Sequence, residues 1–235
     1  MKMKIVILLL FFSVLALISH ISLNIKETNY TVLGDKEIFT NNLKSVNFID
    51  LIYEKLNNEN KIGFYSKDFI KKDIRTIDVI NDIEDNIKIN DISVQNILKK
   101  TDLLVLAAGN NEIQYKLSKI DETTNDIEIY RYLDSVINDI DNLIKQIQKI
   151  SKCNIIFIGF YNDTNNTTND KYYKYINSKI ENNNNITYIN LFNILNKNKD
   201  YLTESDKVYI TNEGNLAIYN KIMRKIDKLD LHTLS

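Results

Sequence analysis

Proline and tryptophan are absent from these 235 residues, which hold only five glycines, two histidines and one cysteine. A single thiol, Cys153, excludes an intramolecular disulfide and cannot build a zinc site. Cys153 opens an apolar stretch and reads as a small buried hydrophobe. Excess charge of either sign is also missing: 30 Lys and Arg stand against 31 Asp and Glu, for a net charge of −1. That balance implies no basic face, and nucleic acid is not an expected partner. Apolar material is not lacking. At 44% hydrophobic and 26% charged residues the chain can bury a sizeable core, so disorder is excluded.

What is abundant is narrow in kind. The sequence holds 39 Ile, 34 Asn and 27 Lys, residues whose codons are rich in A and T, so much of the bias is genomic. Triplets of the form N-x-[ST], such as Asn29-Tyr30-Thr31 and Asn185-Ile186-Thr187, therefore carry little weight. Glycine gains weight instead: where it is so rare, each one marks a place that needs its backbone freedom.

Lys2 and Lys4 precede an apolar run from Ile5 to Ile18 that continues to Leu23, about the 20 residues that cross a bilayer as a helix. No small-residue pair of a cleavage site follows, and no cysteine is available for a lipid. Residues 1–25 are expected to be an uncleaved transmembrane anchor with its lysines cytoplasmic. The alternative is a cleaved secretory signal. Both put the remaining domain, 26–235, outside the cytoplasm.

From Asn29 onward short strands alternate with helices. Strands are expected over 30–33, 62–69, 102–108, 154–159 and 186–191. The run Asp102-Leu103-Leu104-Val105-Leu106-Ala107-Ala108 is apolar throughout, as in a strand covered on both faces. Helical spacing marks Phe48, Leu51, Ile52 and Leu56, then one or two short helices over 76–100. A long amphipathic helix follows over 126–151, and a last one over 212–225. Segments 162–170 and 182–185 are polar and read as loops. This alternation implies one α/β domain with a parallel sheet covered on both faces. Sites in such sheets form beyond the carboxyl ends of the strands. Three segments stand there: Gly34-Asp35-Lys36, Gly109-Asn110-Asn111-Glu112, and Asp206 to Gly214.

Those segments resemble, in order, the motifs of the SGNH (GDSL-type) hydrolases, a family of esterases and lipases. Family members have a strand ending Gly-Asp-Ser, a Gly-x-Asn-Asp after the third strand, and a closing Asp-x-x-His followed by Gly. Ile156 to Asn162, and Phe64 to Phe69 leading to Arg75-Thr76, are similar to further motifs of a subgroup with membrane-anchored members. The resemblance spans about Tyr30 to Lys225. It implies a flavodoxin-like three-layer α/β/α fold with a central five-stranded parallel sheet.

By the same resemblance, Lys36 stands where the family has its nucleophilic Ser, and Tyr209 where it has the general-base His. Asp73 falls at the Gly that donates an oxyanion N–H. Gly109, Asn111 (the oxyanion Asn) and Asp206 (the Asp that orients the base) match the family. Serine-type acyl transfer needs a hydroxyl, a base near neutral pKa and oxyanion donors. A Tyr titrates near 10 and is a poor base, a Lys ammonium cannot attack, and a carboxylate beside the oxyanion opposes its charge. The two histidines, His20 and His232, fall on no motif. Removing triad members costs about 10⁴ to 10⁶ in kcat. The expected protein is thus a membrane-anchored, extracytoplasmic SGNH-type protein without hydrolase activity. It is expected to use neither cofactor nor metal, and its ligand would be an acyl-ester or O-acetylated envelope compound. Two alternatives stay open: an esterase with unorthodox groups centred on Lys36 and Asn111, and an interaction module whose cleft is filled.

Overall fold

A computed structural model of the chain describes residues 27–39, 46–121, 123–164, 166–203 and 209–229. The segment expected to cross a membrane lies outside them. Among the described residues no helix is long and apolar enough to do so.

Five parallel strands form the centre: β1 (Thr28–Asp35), β2 (Ile62–Lys71), and three more further along the chain. Between β2 and the next sheet strand lies a two-residue hairpin, β3 (Lys88–Ile89) and β4 (Ile92–Ser93). The sheet resumes with β5 (Leu103–Ala107), β6 (Asn154–Ile158) and β7 (Thr187–Ile189), in the spatial order β2-β1-β5-β6-β7. Without the hairpin this is the doubly wound order 2-1-3-4-5, whose direction reverses between β1 and β5.

Helices cover both faces. On one side lie α1 (Lys36–Phe39) and α2 (Phe48–Asn58). The opposite side carries α3 (Thr76–Glu84), α4 (Val94–Lys100), α5 (Asn110–Leu117), α6 (Asp126–Ile150) and α7 (Asp170–Glu181). Two further helices, α8 (Leu191–Leu195) and α9 (Asn212–Ile226), return to the first side. The pleat of β5 divides the two cores. Leu104 and Leu106 pack with α3 to α7, while Leu103, Val105 and Ala107 pack with α1, α2, α8 and α9. All five residues of β5 are buried, as its unbroken apolar run requires.

Local chemistry sets the helices. Asn47 and Asn125 cap α2 and α6 by accepting N–H bonds two residues on. The buried stripe of α6 is Ile129, Leu133, Val136, Ile140, Leu143, Ile144 and Ile147, one face of a 3.6-residue period. Asn215 of α9 accepts the Phe48 N–H at 3.3 Å, joining the last helix to the start of α2.

The structure departs from the sequence reading in a few places. Residues 76–100 hold two helices with the hairpin between them, because Asn90 and Asp91 both adopt positive φ (50° and 64°), the backbone of a tight two-residue turn. In α2 the buried residue is Ile49, with Leu51 half-exposed, and in α9 Leu216 is exposed. Helices α5 and α7 occupy residues where no helix was expected. Cys153 is partly buried against the α3–α7 core, and burial pushes its thiol up to about 11.

Candidate functional site

The carboxyl edge is shaped first by two glycines. Gly34 has φ 111°, and a Cβ on it would overlap the carbonyl oxygen of Ala107. No other residue fits where β1 closes against β5. Gly109, at φ 91°, caps α5, and a Cβ there would come within 3.0 Å of Val136 Cγ1. Both glycines place the following residues at the switch point of the sheet. Gly34 lies in register with Ala107 on one side and Ile70 on the other. The β1–α1 turn is therefore flanked by the end of β2 and the start of α5.

Along that edge, Asp35 is fully buried and Lys36 is exposed at the first residue of α1. Past β2 the chain turns through Asp73 at φ 54°, a backbone that glycine adopts readily and Asp tolerates. Asp73 thus presents a carboxylate, 74% exposed, whose ion pair with Lys72 spans 3.8 Å. Asn111 turns one side-chain N–H to the carbonyl of Ile74, at 3.0 Å, and retains a second. Tyr209 is half-buried. Its N–H donates to Thr203 Oγ1 at 2.9 Å and its carbonyl accepts the Thr203 N–H at 2.8 Å, beside the antiparallel bridge of Leu202 with Ile210. Asp206 lies outside the described residues, as do both histidines.

The structure gathers Asp73, Asn111 and Glu112 around one open pocket of about 630 Å³. Its remaining walls are Arg75, Gln114, Tyr115, Ser118 and Tyr132. Glu112 is buried, and its Oε2 accepts the Thr76 N–H at 3.1 Å and the Thr76 hydroxyl at 2.9 Å. Burial raises the Glu112 pKa against the pull of those two donors. Arg75 holds Asp78 through Nε at 3.0 Å and one Nη at 2.9 Å, which keeps the Asp78 carboxyl low. The Tyr132 hydroxyl donates to the Glu112 carbonyl at 3.3 Å.

Neither Lys36 nor Tyr209 belongs to this pocket. It opens on the side of the sheet covered by α3, α5 and α6, whereas Ile38 and Ile210, their near neighbours in sequence, pack in the other core. The sequence pattern brought Asp73, Arg75, Asn111 and Glu112 into view but missed Gln114, Tyr115, Ser118 and Tyr132. Their mark was Gly109, a helix start followed by an exposed face that carries little apolar residue. Among the described residues no group of three or more His, Cys, Asp or Glu side chains could hold a metal ion.

No protein-family model matches the chain, and no curated protein matches its sequence. Solved structures do match its shape. A lipase, Lip_vut3, from a goat rumen metagenome superposes with a TM-score of 0.71 at 16% identity, covering 86% of this chain and 99% of the lipase. Axe2, an acetylxylan esterase of Geobacillus stearothermophilus, does so at 0.59 and 17% identity, over 86% of this chain and 95% of its own. The acetyl xylan esterase AlAXEase follows at 0.56 and 19% identity, over 84% and 98%. The chain therefore has an SGNH/GDSL esterase-like fold, held at a sequence identity that carries the fold alone.

Proposed function

We propose that this SGNH-fold chain is a membrane-anchored, extracytoplasmic protein that binds an acyl-ester or O-acetylated envelope ligand without hydrolysing it. The observation that carries the reading is the turn after β1. Gly34 packs against Ala107 there, and the residue that follows Gly34-Asp35 is Lys36. The side chain at that place has no hydroxyl to acylate, and Tyr209 puts a phenol where serine-type acyl transfer uses an imidazole. Asp73 adds a carboxylate where negative charge would develop. Asn111 alone keeps an N–H suited to an oxyanion.

Ester hydrolysis by the full chain on short acyl esters tests the reading, beside Lys36→Ala and the double change Lys36→Ser with Tyr209→His. The expected result is a rate no higher than buffer for the natural chain and a gain for the double change. Hydrolysis by the natural chain that Lys36→Ala abolishes would establish lysine chemistry and overturn the reading. Retention of the chain in membranes after alkaline extraction tests the anchor, and release of the full-length chain would refute it.

A further inference from the structure

A net charge of −1 hides an uneven distribution. The helices between parallel strands run back against them, so their last turns lie toward the amino edge of the sheet. Exposed Lys99 and Lys100 end α4 there, and Lys225 and Lys228 stand at the end of α9. Lys152, also exposed, lies in the connection from α6 to β6. The carboxyl edge receives the first turns instead, which carry Asp78, Glu112, Asp126 and Asp170. Among the described residues none of those five lysines makes an ion pair. Nearby carboxylates are partly committed: Glu59 is held by Lys55 and Lys61, and Asp102 accepts the Asn29 N–H at 2.8 Å. Glu27 and Asp227 remain exposed beside them. A helix C-terminus favours cations in its last turn, yet it leaves their charge open to an outside partner.

Hydrogen bonds join these segments into one surface. The Thr28 N–H donates to the Lys61 carbonyl at 2.7 Å, Asn29 Nδ2 to the Lys100 carbonyl at 2.7 Å, and the Asn154 N–H to the Asp102 carbonyl at 2.9 Å. An open groove of about 470 Å³ cuts into the same edge between Lys152, Asn154, Asn185, Thr187 and Leu229, and no carboxylate lines it. Amides, a hydroxyl and an ammonium are groups that hold a phosphodiester. The same edge is where β1 begins. Residues 26 and 27 alone separate Thr28 from the segment 1–25 proposed as the anchor, a link that spans about 10 Å when extended. That reach is about one Debye length at physiological ionic strength, so a charged bilayer would act on these lysines.

We propose that the amino edge of the sheet lies against the membrane, where Lys99, Lys100, Lys152, Lys225 and Lys228 engage anionic phosphodiester headgroups. The inference rests on the anchored reading above and deepens it, naming the partner surface and the orientation of the domain. The pocket beside Asn111, at the carboxyl edge, then opens away from the bilayer.

Energy transfer from a thiol-linked dye to a headgroup acceptor, in the full chain reconstituted into vesicles, tests it. Asn184→Cys carries the dye at the amino edge and Asp73→Cys at the carboxyl edge, each in a Cys153→Ser background. With phosphatidylglycerol and phosphatidylcholine mixed, the dye at 184 should transfer far more strongly than the dye at 73. In pure phosphatidylcholine, or at about 1 M salt where the Debye length is about 3 Å, that difference should shrink. Lys100→Gln and Lys152→Gln should each lower the ratio of docked to undocked domain about fivefold. Both side chains are exposed, and unchanged melting temperatures would show that the variants fold. Equal transfer from the two dyes, or a difference that salt, lipid and both glutamines leave unaltered, overturns the proposal. Alkaline extraction reads the anchor separately. A chain that alkali releases, yet that sediments with phosphatidylglycerol vesicles until both lysines are changed, keeps this surface and refutes the anchor. A retained chain whose dyes transfer equally keeps the anchor and refutes the surface.

Discussion

Glu112 Oε2 takes both the N–H and the hydroxyl of Thr76, so one buried carboxylate ties the start of α5 to the first turn of α3. Its pKa is raised, with burial the largest cause. A carboxyl whose folded pKa exceeds its unfolded value contributes stability that is complete below the unfolded value and is lost as pH rises through the folded one. Glu112→Gln keeps an acceptor for Thr76 and removes that loss. Urea unfolding between pH 4 and 7 should therefore show a variant that gains on the natural chain as pH rises. A variant that falls behind at pH 7 would mean the ionised form is the stabilising one.

Thr76→Val probes the same joint from the other side. It keeps the shape and removes one of the two donors to Glu112, at a cost of about 1–3 kcal/mol. The measurement is again urea unfolding at neutral pH. The loss should shrink in a Glu112→Gln background, because the two changes share one bond.

Gly34→Ala should be among the most damaging single changes in the chain. The new Cβ would overlap the Ala107 carbonyl oxygen at a φ of 111°, and the combined strain is about 3 kcal/mol or more. Loss of folded yield, or a fall in the melting temperature of many degrees, is the expected outcome.

Asp73→Gly should leave stability within about 1 kcal/mol, since glycine accepts φ 54° freely but loosens the unfolded chain. It removes the carboxylate that the proposed reading sets beside the oxyanion. Added to Lys36→Ser with Tyr209→His, it should raise ester hydrolysis above that of the double change. A triple change no faster than the double would place Asp73 away from the reacting carbonyl.

Asp91→Gly should stabilise the β3–β4 hairpin, because Asn-Gly is the preferred pair for a turn with two positive φ values. A gain of up to about 1 kcal/mol is expected, read as a rise in melting temperature. A fall would mean that the Asp91 side chain braces the turn.

Much of the fold was legible because single features decided it. The unbroken apolar run of β5 and the seven-residue stripe of α6 each admit one structure, and the scarcity of glycine made Gly34 and Gly109 stand out. Helix α5 stayed hidden because only Ile113 and Leu117 give its two turns an apolar spacing, which is too short for a period to declare itself. The pocket walls Gln114, Tyr115, Ser118 and Tyr132 went unseen for the same reason. They become neighbours only when α5 and α6 are laid side by side. The hairpin at Asn90-Asp91 was masked by the abundance of Asn, which dulls a turn signal that would be sharp in another composition.

The bond between Asn215 and the Phe48 N–H spans 167 positions of sequence. During synthesis α2 leaves the ribosome long before α9 exists to cover it. At about 5–20 residues per second that interval is roughly ten to thirty seconds. Throughout it Ile49, Ile52 and Leu56 lack their final neighbour, while the α3–α7 side of the sheet can already close. A nascent chain therefore matures one face at a time, and a premature stop before residue 212 would release a half-covered sheet as a substrate for quality-control proteases.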